Sequence, residues 1–388
     1  MNNKSKLTQI AISGFKSFGS DELSLNLDLK DVNIIIGTNG AGKSSFISFF
    51  EMLNHMSTEA LQLYIGKNGG ADNILHFGSK KTPIIQSSLT FENPNFKDVY
   101  QFKLAKSVKD ALIFLEEKIK VNDKEFELDG GQKESLLYAD DQKYAGANAL
   151  KAILSQCRTY QFHDTSDQSH IRNSASIANN RYLFADGGNL PAFLYRLQQK
   201  YPKYFERITS RIRYAVPQFG KFDLFPDPLN MSSIQLNWKS EIDNDYLFGP
   251  DHLSDGSIRF IALATLFLQP PELLPNIILI DEPELGLHPQ VIDLLASMIK
   301  ECSQYAQIVV ATQSPRLLDS FTPDQVIVAE TNSASGSSIF KRLNEQDLDE
   351  WLENYSLSEI WEKNIYSHRR SVRRTFCKSH TCASFFGL

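Results

Sequence analysis

The sequence has few cysteines, no long apolar run and no excess of positive charge. Its 388 residues include only four cysteines, too few for a disulfide framework. The longest apolar run, residues 260–268, has about half the length of a membrane-spanning helix. Residues 1–6 are polar and do not resemble a secretory signal. These absences predict a cytoplasmic protein with reduced thiols and no membrane partner.

The charge balance is mildly acidic, because 46 acidic residues stand against 40 basic ones and give a net charge of −6. This excludes a uniformly basic nucleic-acid wrapper but still permits a local basic patch. The composition, 42% hydrophobic and 22% charged, is typical of a globular protein rather than a disordered one. The length allows about two to three domains.

The hydrophobic pattern predicts an α/β fold. The apolar run at 32–36 precedes a glycine-rich turn, as a buried parallel strand does. Alternating segments at 83–92, 97–106 and 111–121 predict an antiparallel meander, and the segment at 130–147 predicts a loop. Further strands are predicted at 277–280, 308–311 and 326–329, and helices at 44–65, 148–157, 189–214, 257–268 and 290–303.

The strongest local signal is a phosphate-binding loop between the strand at 32–36 and the following helix. Its residues match the pattern G-x-x-x-x-G-K-[ST]. Glycines let the backbone N–H groups turn toward an anion, and the start of the helix adds its positive dipole end. The predicted phosphate-binding residues are Gly37, Thr38, Asn39, Gly40, Ala41, Gly42, Lys43, Ser44 and Ser45.

A pair of carboxylates follows the predicted strand at 277–280. Asp281 and Glu282 end an apolar run, where a carboxylate is costly unless it meets a cation or hydrogen-bond donors. Beside the phosphate loop, Asp281 can hold the Mg²⁺ shell and Glu282 can polarise an attacking water. Ser44 offers the second oxygen for Mg²⁺.

A second anion-binding device precedes the predicted helix at 257–268. Ser254 is a good N-cap residue, and Gly256 permits close backbone approach. One interpretation is a capped, buried helix without a ligand. The other is a site for the γ-phosphate of a nucleotide that a second protomer holds.

Together these segments resemble the ABC-type ATPases of the SMC, RecF and OLD group. The closest branch is the stand-alone predicted ATPases of the AAA family. The resemblance covers about residues 7–364 and rests on NGAGKSS (39–45), LSDGS (253–257), LIDEPELGLHP (279–289) and VVATQSP (309–315), with ISGFKSF (12–18), FHDTS (162–166), DGGNL (186–190) and EWLENYSLSEIWEKN (350–364).

The resemblance implies a P-loop NTPase fold, specifically an ABC-type ATPase head with an antiparallel β subdomain and a mixed helical insertion. It implies a homodimer that sandwiches two ATP and Mg²⁺. Lys43 and Ser44 would bind phosphate and Mg²⁺, Asp281 would be the Walker B aspartate and Glu282 the catalytic glutamate. Signature residues Ser254 and Gly256 would act in trans. Residues 286–288 occupy the place of the dimer-contact loop.

The resemblance also divides the chain. The first half of the ATPase core, with Walker A and the β meander, would occupy residues 1–130, and a mixed, largely helical insertion 131–250. The second half of the core, with signature, Walker B and switch, would occupy 251–345. A C-terminal helix and a basic tail would occupy 346–388.

Two departures from the family pattern concern the chemistry. The signature carries Asp255 and Ser257 where LSGGQ is usual, and Asp255 brings negative charge toward a γ-phosphate unless it points away. Gln313 stands at the switch position that is usually histidine, and it can donate a hydrogen bond but cannot carry a proton charge. For the glutamine that usually marks the lobe junction, Gln86 is a weak candidate.

Other segments leave alternatives open. The basic and aromatic stretch 187–214 permits a phosphate-backbone contact, although a solvated helix face is favoured. His163, Asp164 and Thr165 favour a structural hydrogen-bond cluster over a metal site. The tail at 365–388 is basic and contains cysteines and histidines in a non-standard zinc spacing, and a basic tail is favoured there.

The leading functional hypothesis is an ATPase whose nucleotide-driven dimerisation switches a partner protein or a nucleic-acid grip. The family analogy suggests DNA maintenance or anti-phage defence, with DNA, a nuclease or a toxin as partner. The alternative is a nucleotide-gated regulatory module that hydrolyses little, as Gln313 and Asp255 suggest. A P-loop kinase is disfavoured, because a kinase needs neither a hydrolytic glutamate nor a trans signature.

Overall fold

The computed structural model describes residues 5–93, 96–121, 124–138, 148–242 and 245–363. The tail at 365–388 lies outside them. The strands are β1 (Lys6–Ser13), β2 (Leu25–Asp28), β3 (Val32–Gly37), β4 (Ile84–Asn93), β5 (Phe96–Lys106), β6 (Leu112–Val121), β7 (Lys124–Leu128), β8 (Cys157–Tyr160), β9 (Ala175–Ser176), β10 (Phe219–Phe222), β11 (Pro226–Asp227), β12 (Asn230–Ile234), β13 (Trp238–Ser240), β14 (Ile277–Asp281), β15 (Gln307–Thr312), β16 (Val326–Thr331) and β17 (Ser338–Arg342).

The helices occur mainly between these strands. They are α1 (Lys43–Met56), α2 (Leu61–Lys67), α3 (Ala71–Ile74), α4 (Asn148–Leu154), α5 (Leu190–Lys200), α6 (Pro202–Ala215), α7 (Asp255–Leu268), α8 (Pro289–Cys302), α9 (Pro315–Leu318), α10 (Asp349–Leu352) and α11 (Leu357–Glu362). Among the described residues, no helix has both the length and the apolar character needed to cross a membrane.

A six-stranded mixed sheet with the order β17-β16-β3-β15-β14-β8 forms the centre of the molecule. All neighbours in it are parallel except β16 and β17. Successive side chains of a strand point to opposite faces. Ile34 and Ile36 therefore join one hydrophobic core, whereas Ile35 joins the other. The strands are apolar on both faces because both are covered.

The first face is covered by α1 and, beyond it, by a six-stranded antiparallel sheet with the order β2-β1-β4-β5-β6-β7. Phenylalanines fill the space between them. Phe49 of α1 packs against Phe15 and Phe102 with ring centroids 5.4 and 6.3 Å apart. The helix that follows the phosphate loop is thus clamped between two sheets.

The second face is covered by α5, α6, α7 and α8, with two small sheets, β10-β13 and β11-β12-β9, beside them. The fully buried side chains of Ile261 and Leu263 show that α7 is enclosed almost all round. A helix that is apolar on every side belongs in a core. Because α7 is packed on nearly all sides, its N-terminal end is held in a fixed orientation.

One buried side chain joins the two large sheets. Gln307 of β15 accepts a hydrogen bond from the Leu7 N–H at 3.1 Å and donates to the Leu7 carbonyl at 2.9 Å. Its side-chain amide therefore pairs with the Leu7 backbone as a neighbouring strand would. The pairing of β1 with β4 is irregular between Leu7 and Gln9. The antiparallel sheet is anchored to the core sheet by this amide.

The structure differs from the predicted elements in several places. The helix predicted at 44–65 is two helices separated by residues 57–60, and that predicted at 189–214 is broken before Pro202. The small strands β9 to β13 and the edge strands β7 and β17 carry no clear alternation and were not predicted. Strand β8 lies within the predicted insertion but pairs with β14 in the core sheet. The division into domains otherwise stays a prediction.

Candidate functional site

The phosphate loop connects β3 to α1, and two of its glycines have left-handed backbone angles. Gly40 has φ +81° and Gly42 has φ +101°. A Cβ on Gly42 would lie 2.1 Å from the Ser338 hydroxyl oxygen, whereas a Cβ on Gly40 would meet nothing within 4 Å. Gly42 is therefore required by space and by backbone angle, and Gly40 by backbone angle alone. The Gly40 side of the loop is open.

Lys43 is buried and folds back onto the loop. Its ammonium group donates to the Gly37 carbonyl at 2.6 Å and to the Thr38 carbonyl at 3.2 Å. Burial lowers the pKa of Lys43, and the nearby charges of Glu282 and Asp281 partly oppose that shift. The lysine and the two acids therefore lie close enough for their charges to interact.

Asp281 and Glu282 lie at the carboxyl end of β14. Burial raises the pKa of Asp281, while Lys43 and His163 act in the opposite direction. The Glu282 N–H donates to the Ala311 carbonyl of β15 at 2.7 Å. Glu282 also has φ +39°, a left-handed conformation that is rare for a residue with a side chain. Such backbone strain concentrates at functional positions.

The switch residue Gln313 contacts Glu282 directly. Its amide nitrogen donates a hydrogen bond to one carboxylate oxygen of Glu282. Strands β3, β15 and β14 are adjacent and parallel, so the residues that follow them meet at one edge of the sheet. The structure thus brings together the loop, the carboxylate pair and the switch position.

Glu284 is a site residue that sequence reasoning did not single out. Its side chain is only 8% exposed, and one carboxylate oxygen accepts from the Thr312 hydroxyl while the other meets no hydrogen-bond donor among the described residues. Burial raises the pKa of its carboxyl group. The sequence pattern around Glu284 does not show whether its side chain is buried or solvated. The burial comes from the end of β15, which packs over the carboxylate.

Gln86, the sequence candidate for the lobe junction, lies within β4 of the antiparallel sheet, paired with Ser13 and Lys103. Gln161 directly follows β8, beside the carboxyl end of β14 that holds Asp281. Sequence reasoning did not single out Gln161, because β8 is short and its pattern does not indicate a strand. The lobe-junction role of Gln86 stays a prediction.

The signature segment begins α7. Ser254 is exposed and caps the helix, and its hydroxyl oxygen accepts from the Ser257 N–H at 3.2 Å. A Cβ on Gly256 would lie 2.4 Å from the Gly286 carbonyl oxygen. The glycine is thus needed where α7 meets the loop after β14.

Two buried arginines attach this segment to residues 162–165. Arg259 of α7 donates to the carbonyls of Phe162 at 2.8 Å, His163 at 3.1 Å and Leu285. Arg172 binds Asp255 at 2.9 Å and holds the pKa of that carboxyl group below its ordinary value. The Asp255 side chain therefore turns back to its own chain.

The remaining sequence candidates are mainly structural. Of the basic stretch, Arg207 pairs with Glu301, and Arg213 donates to the Gly220 carbonyl. Arg196 donates to backbone carbonyls of the 180–181 segment. Within the described ranges, no group of three or more histidine, cysteine or acidic side chains is placed to hold a metal ion. In the cluster at His163 to Thr165, the carbonyls of His163 and Thr165 accept from the two buried arginines, and the His163 side chain lies close enough to Asp281 to influence its pKa.

Residues 32–319 match a protein family described as "AAA domain, putative AbiEii toxin, Type IV TA system". The chain belongs to this family. No curated protein matches the sequence. Among solved structures, this AAA-family chain is similar to an Smc head bound to the C-winged helix domain of ScpA, at 16% identity and a TM-score of 0.58 over 88% of this chain and 99% of that one.

A second similar structure is an Smc head with an extended coiled coil, bound to the C-terminal domain of ScpA and derived from Pyrococcus furiosus. It has 15% identity and a TM-score of 0.56 over 90% of this chain and 99% of that one. At such identities the likeness concerns the fold. This AAA-family member has the ABC-type, SMC-like P-loop ATPase fold, and the predicted fold class is confirmed.

Proposed function

We propose that the protein binds Mg-ATP, dimerises head to tail around two nucleotides and hydrolyses them. The observation that carries this proposal is the meeting of Lys43, Asp281, Glu282 and Gln313 at one edge of the parallel sheet. The glycine-formed loop would cradle the phosphates with its N–H groups. Lys43 would exchange its two backbone carbonyls for the β- and γ-phosphates.

The residues present fit Mg²⁺. The Ser44 hydroxyl is exposed at the start of α1, and Asp281 supplies a carboxylate at the facing strand end. Oxygen ligands with few protein contacts suit this ion, which keeps waters and nucleotide phosphates as its other ligands. When bound, the ion would neutralise and orient the phosphate oxygens. Asp281 would then be ionised, with its burial offset by the cation.

Glu282 would accept the hydrogen bond of the attacking water. The strained backbone at Glu282 and the hydrogen bond from Gln313 both fix the direction of its carboxylate. Gln313 can donate to Glu282 or to a terminal phosphate, but it cannot supply a proton. Hydrolysis would therefore depend on Glu282 as the only general base of the pair.

In the proposed dimer, the phosphate loop of one copy and the signature segment of the other would form one nucleotide site. Both surfaces are exposed, which supports the dimer. The Gly40 side of the phosphate loop is open, and Ser254 and Asp255 are exposed at the start of α7. The N-terminus of a helix favours an anion. A second copy could then place its Ser254 and Gly256 against the terminal phosphate.

Steady-state ATP hydrolysis and nucleotide binding test the proposal. We expect Lys43→Ala to lose ATP binding, and Glu282→Gln to bind ATP but hydrolyse it about 100-fold or more slowly. Glu301→Gln, which changes a partly buried acid of α8 that pairs with Arg207, is the matched control and should behave as wild type. Wild-type binding of ATP that survives Lys43→Ala would contradict the assignment of the loop.

A second candidate function is a nucleotide-gated module with little turnover. It is favoured by the Gln313–Glu282 hydrogen bond, because the amide occupies an oxygen that the water would need. This candidate predicts background hydrolysis in both wild type and Glu282→Gln while ATP binding remains. In either case we propose that dimerisation acts on an effector such as a nuclease or toxin, or on DNA, in DNA maintenance or anti-phage defence.

A further inference from the structure

Arg172 lies directly behind the signature segment and has no role in the function proposed above. It ends a 3-10 turn at His170–Arg172, and its side chain is only 6% exposed. The guanidinium donates at 2.7 Å to the Thr165 carbonyl, at 2.7 Å to the Pro250 carbonyl and at 3.1 Å to the Leu253 carbonyl. Its remaining contact is the Asp255 carboxylate at 2.9 Å.

These contacts hold the signature segment on both sides of Ser254. The Leu253 carbonyl precedes the serine and the Asp255 side chain follows it, and both are bound by the same guanidinium. The Pro250 contact fixes the turn that leads into the segment. A planar guanidinium with several donors suits such a task, and a lysine would not replace it. The Ser254 side chain itself stays exposed.

The ion pair between Arg172 and Asp255 also determines the direction of the Asp255 carboxylate. A buried guanidinium is costly without acceptors, and within the described residues Asp255 is its acidic partner. The carboxylate is 69% exposed on the protein surface but turned toward Arg172. Without this partner, a carboxylate beside Ser254 would repel the anion that a helix N-terminus otherwise attracts.

We propose that Arg172 is a positioning residue for the trans site: it fixes Ser254 and neutralises Asp255, so that the signature accepts the terminal phosphate of a nucleoside triphosphate held by a second copy. The inference rests on the proposed dimer. This role of Arg172 explains how a signature with Asp255 can accept a phosphate, although glycine is usual at that position. Arg172 acts through Asp255 and Ser254 rather than by contact with the nucleotide of its own protomer.

A double-mutant cycle tests the proposal. Arg172→Met, Asp255→Gly and the double variant are prepared in the Glu282→Gln background, which keeps bound ATP. Dimerisation with Mg-ATP is measured by analytical ultracentrifugation, and ATP affinity is measured separately by fluorescence with a labelled nucleotide. Arg207→Met, which removes an arginine–carboxylate pair between α6 and α8, is the matched control.

We expect Arg172→Met to weaken dimerisation at least tenfold with ATP affinity unchanged within twofold. Asp255→Gly alone should dimerise as the parent. The double variant should recover at least threefold over Arg172→Met but not fully, because the unneutralised acid is gone while the Pro250 and Leu253 carbonyls still lack the guanidinium. A merely structural role for Arg172 would not be rescued by Asp255→Gly. If Arg172→Met does not fold, Arg172→Lys replaces it, with a loss of at least threefold and the same rescue expected.

The outcomes separate the two proposals. Normal dimerisation of Arg172→Met, or a double variant no better than the single one, overturns the role of Arg172 and leaves the proposed function intact. A Glu282→Gln parent that binds ATP but never dimerises overturns the dimer itself, and the positioning role with it.

Discussion

The hydroxyl of Thr312, the last residue of β15, donates a hydrogen bond to the buried carboxylate of Glu284 in the turn after β14. The next residue after Thr312, Gln313, donates to Glu282, which lies two residues before Glu284. Two side-chain bonds therefore tie the end of β14 to the end of β15. The Thr312 hydroxyl also accepts from the Ser314 N–H at 2.9 Å, which extends the connection toward α9.

Loss of the Thr312 hydroxyl should cost stability. Thr312→Val keeps the shape but leaves a buried carboxylate without this donor, so we expect the free energy of unfolding to fall by about 1–3 kcal/mol. Urea unfolding measures the change. Thr209→Val is the matched control, because Thr209 donates to the Phe205 carbonyl within α6. An equal effect of the two substitutions would contradict the prediction.

Glu284 should make stability depend on pH. Burial raises the pKa of its carboxyl group in the folded protein, so above about pH 4.3 the unfolded chain loses this proton first. The free energy of unfolding should then fall as pH rises through the raised pKa. We expect Glu284→Gln to flatten this slope in urea unfolding measured from about pH 4.3 upward. Glu301→Gln should keep the wild-type slope.

The two loop glycines should differ in their tolerance of alanine. Gly42→Ala combines a left-handed backbone with a Cβ pressed on Ser338, whereas Gly40→Ala carries only the backbone cost of about 1–2 kcal/mol. We expect Gly42→Ala to be the less stable protein and to lose ATP binding by at least tenfold more than Gly40→Ala. Thermal unfolding and nucleotide titration check both points. A Gly42→Ala protein as stable as Gly40→Ala would contradict the steric argument.

Ser254→Arg should separate binding from dimerisation. The serine is exposed, so the larger side chain can be accommodated in the monomer but blocks a facing nucleotide. Loss of the N-cap should cost about 1 kcal/mol of stability. We expect unchanged ATP affinity and no dimer on sizing chromatography with Mg-ATP in the Glu282→Gln background. A dimer that survives this substitution would place the interface elsewhere.

The basic stretch on α5 and α6 should contribute little to DNA binding. Arg207 and Arg213 are already engaged by their own chain. We expect Arg207→Ala/Arg213→Ala to leave DNA affinity, and its dependence on salt, unchanged within twofold. Lys200→Ala/Lys203→Ala, in which both side chains are exposed, is the comparison. A clear loss of affinity and of salt dependence in the arginine variant would assign this face to DNA.

The sequence allowed prediction of the elements whose signals are local. The loop at 37–44 and the acids at 281–282 follow apolar runs, so their strand-end positions could be inferred from β3 and β14 alone. The burial of Glu284 could not, because it depends on Thr312, which is distant in sequence. Arg172 was missed for the same reason, since its acceptors belong to a segment about 80 residues further on.

The packing of α1 between two sheets affects how the phosphate loop can move. The helix that starts at Lys43 packs through Phe49 against the aromatic rings of the antiparallel sheet, and that sheet is fastened to the core at Gln307. A shift of the loop on ligand binding would therefore act on these packed rings rather than on a flexible segment. The outer sheet therefore restrains the helix at which the phosphate loop ends.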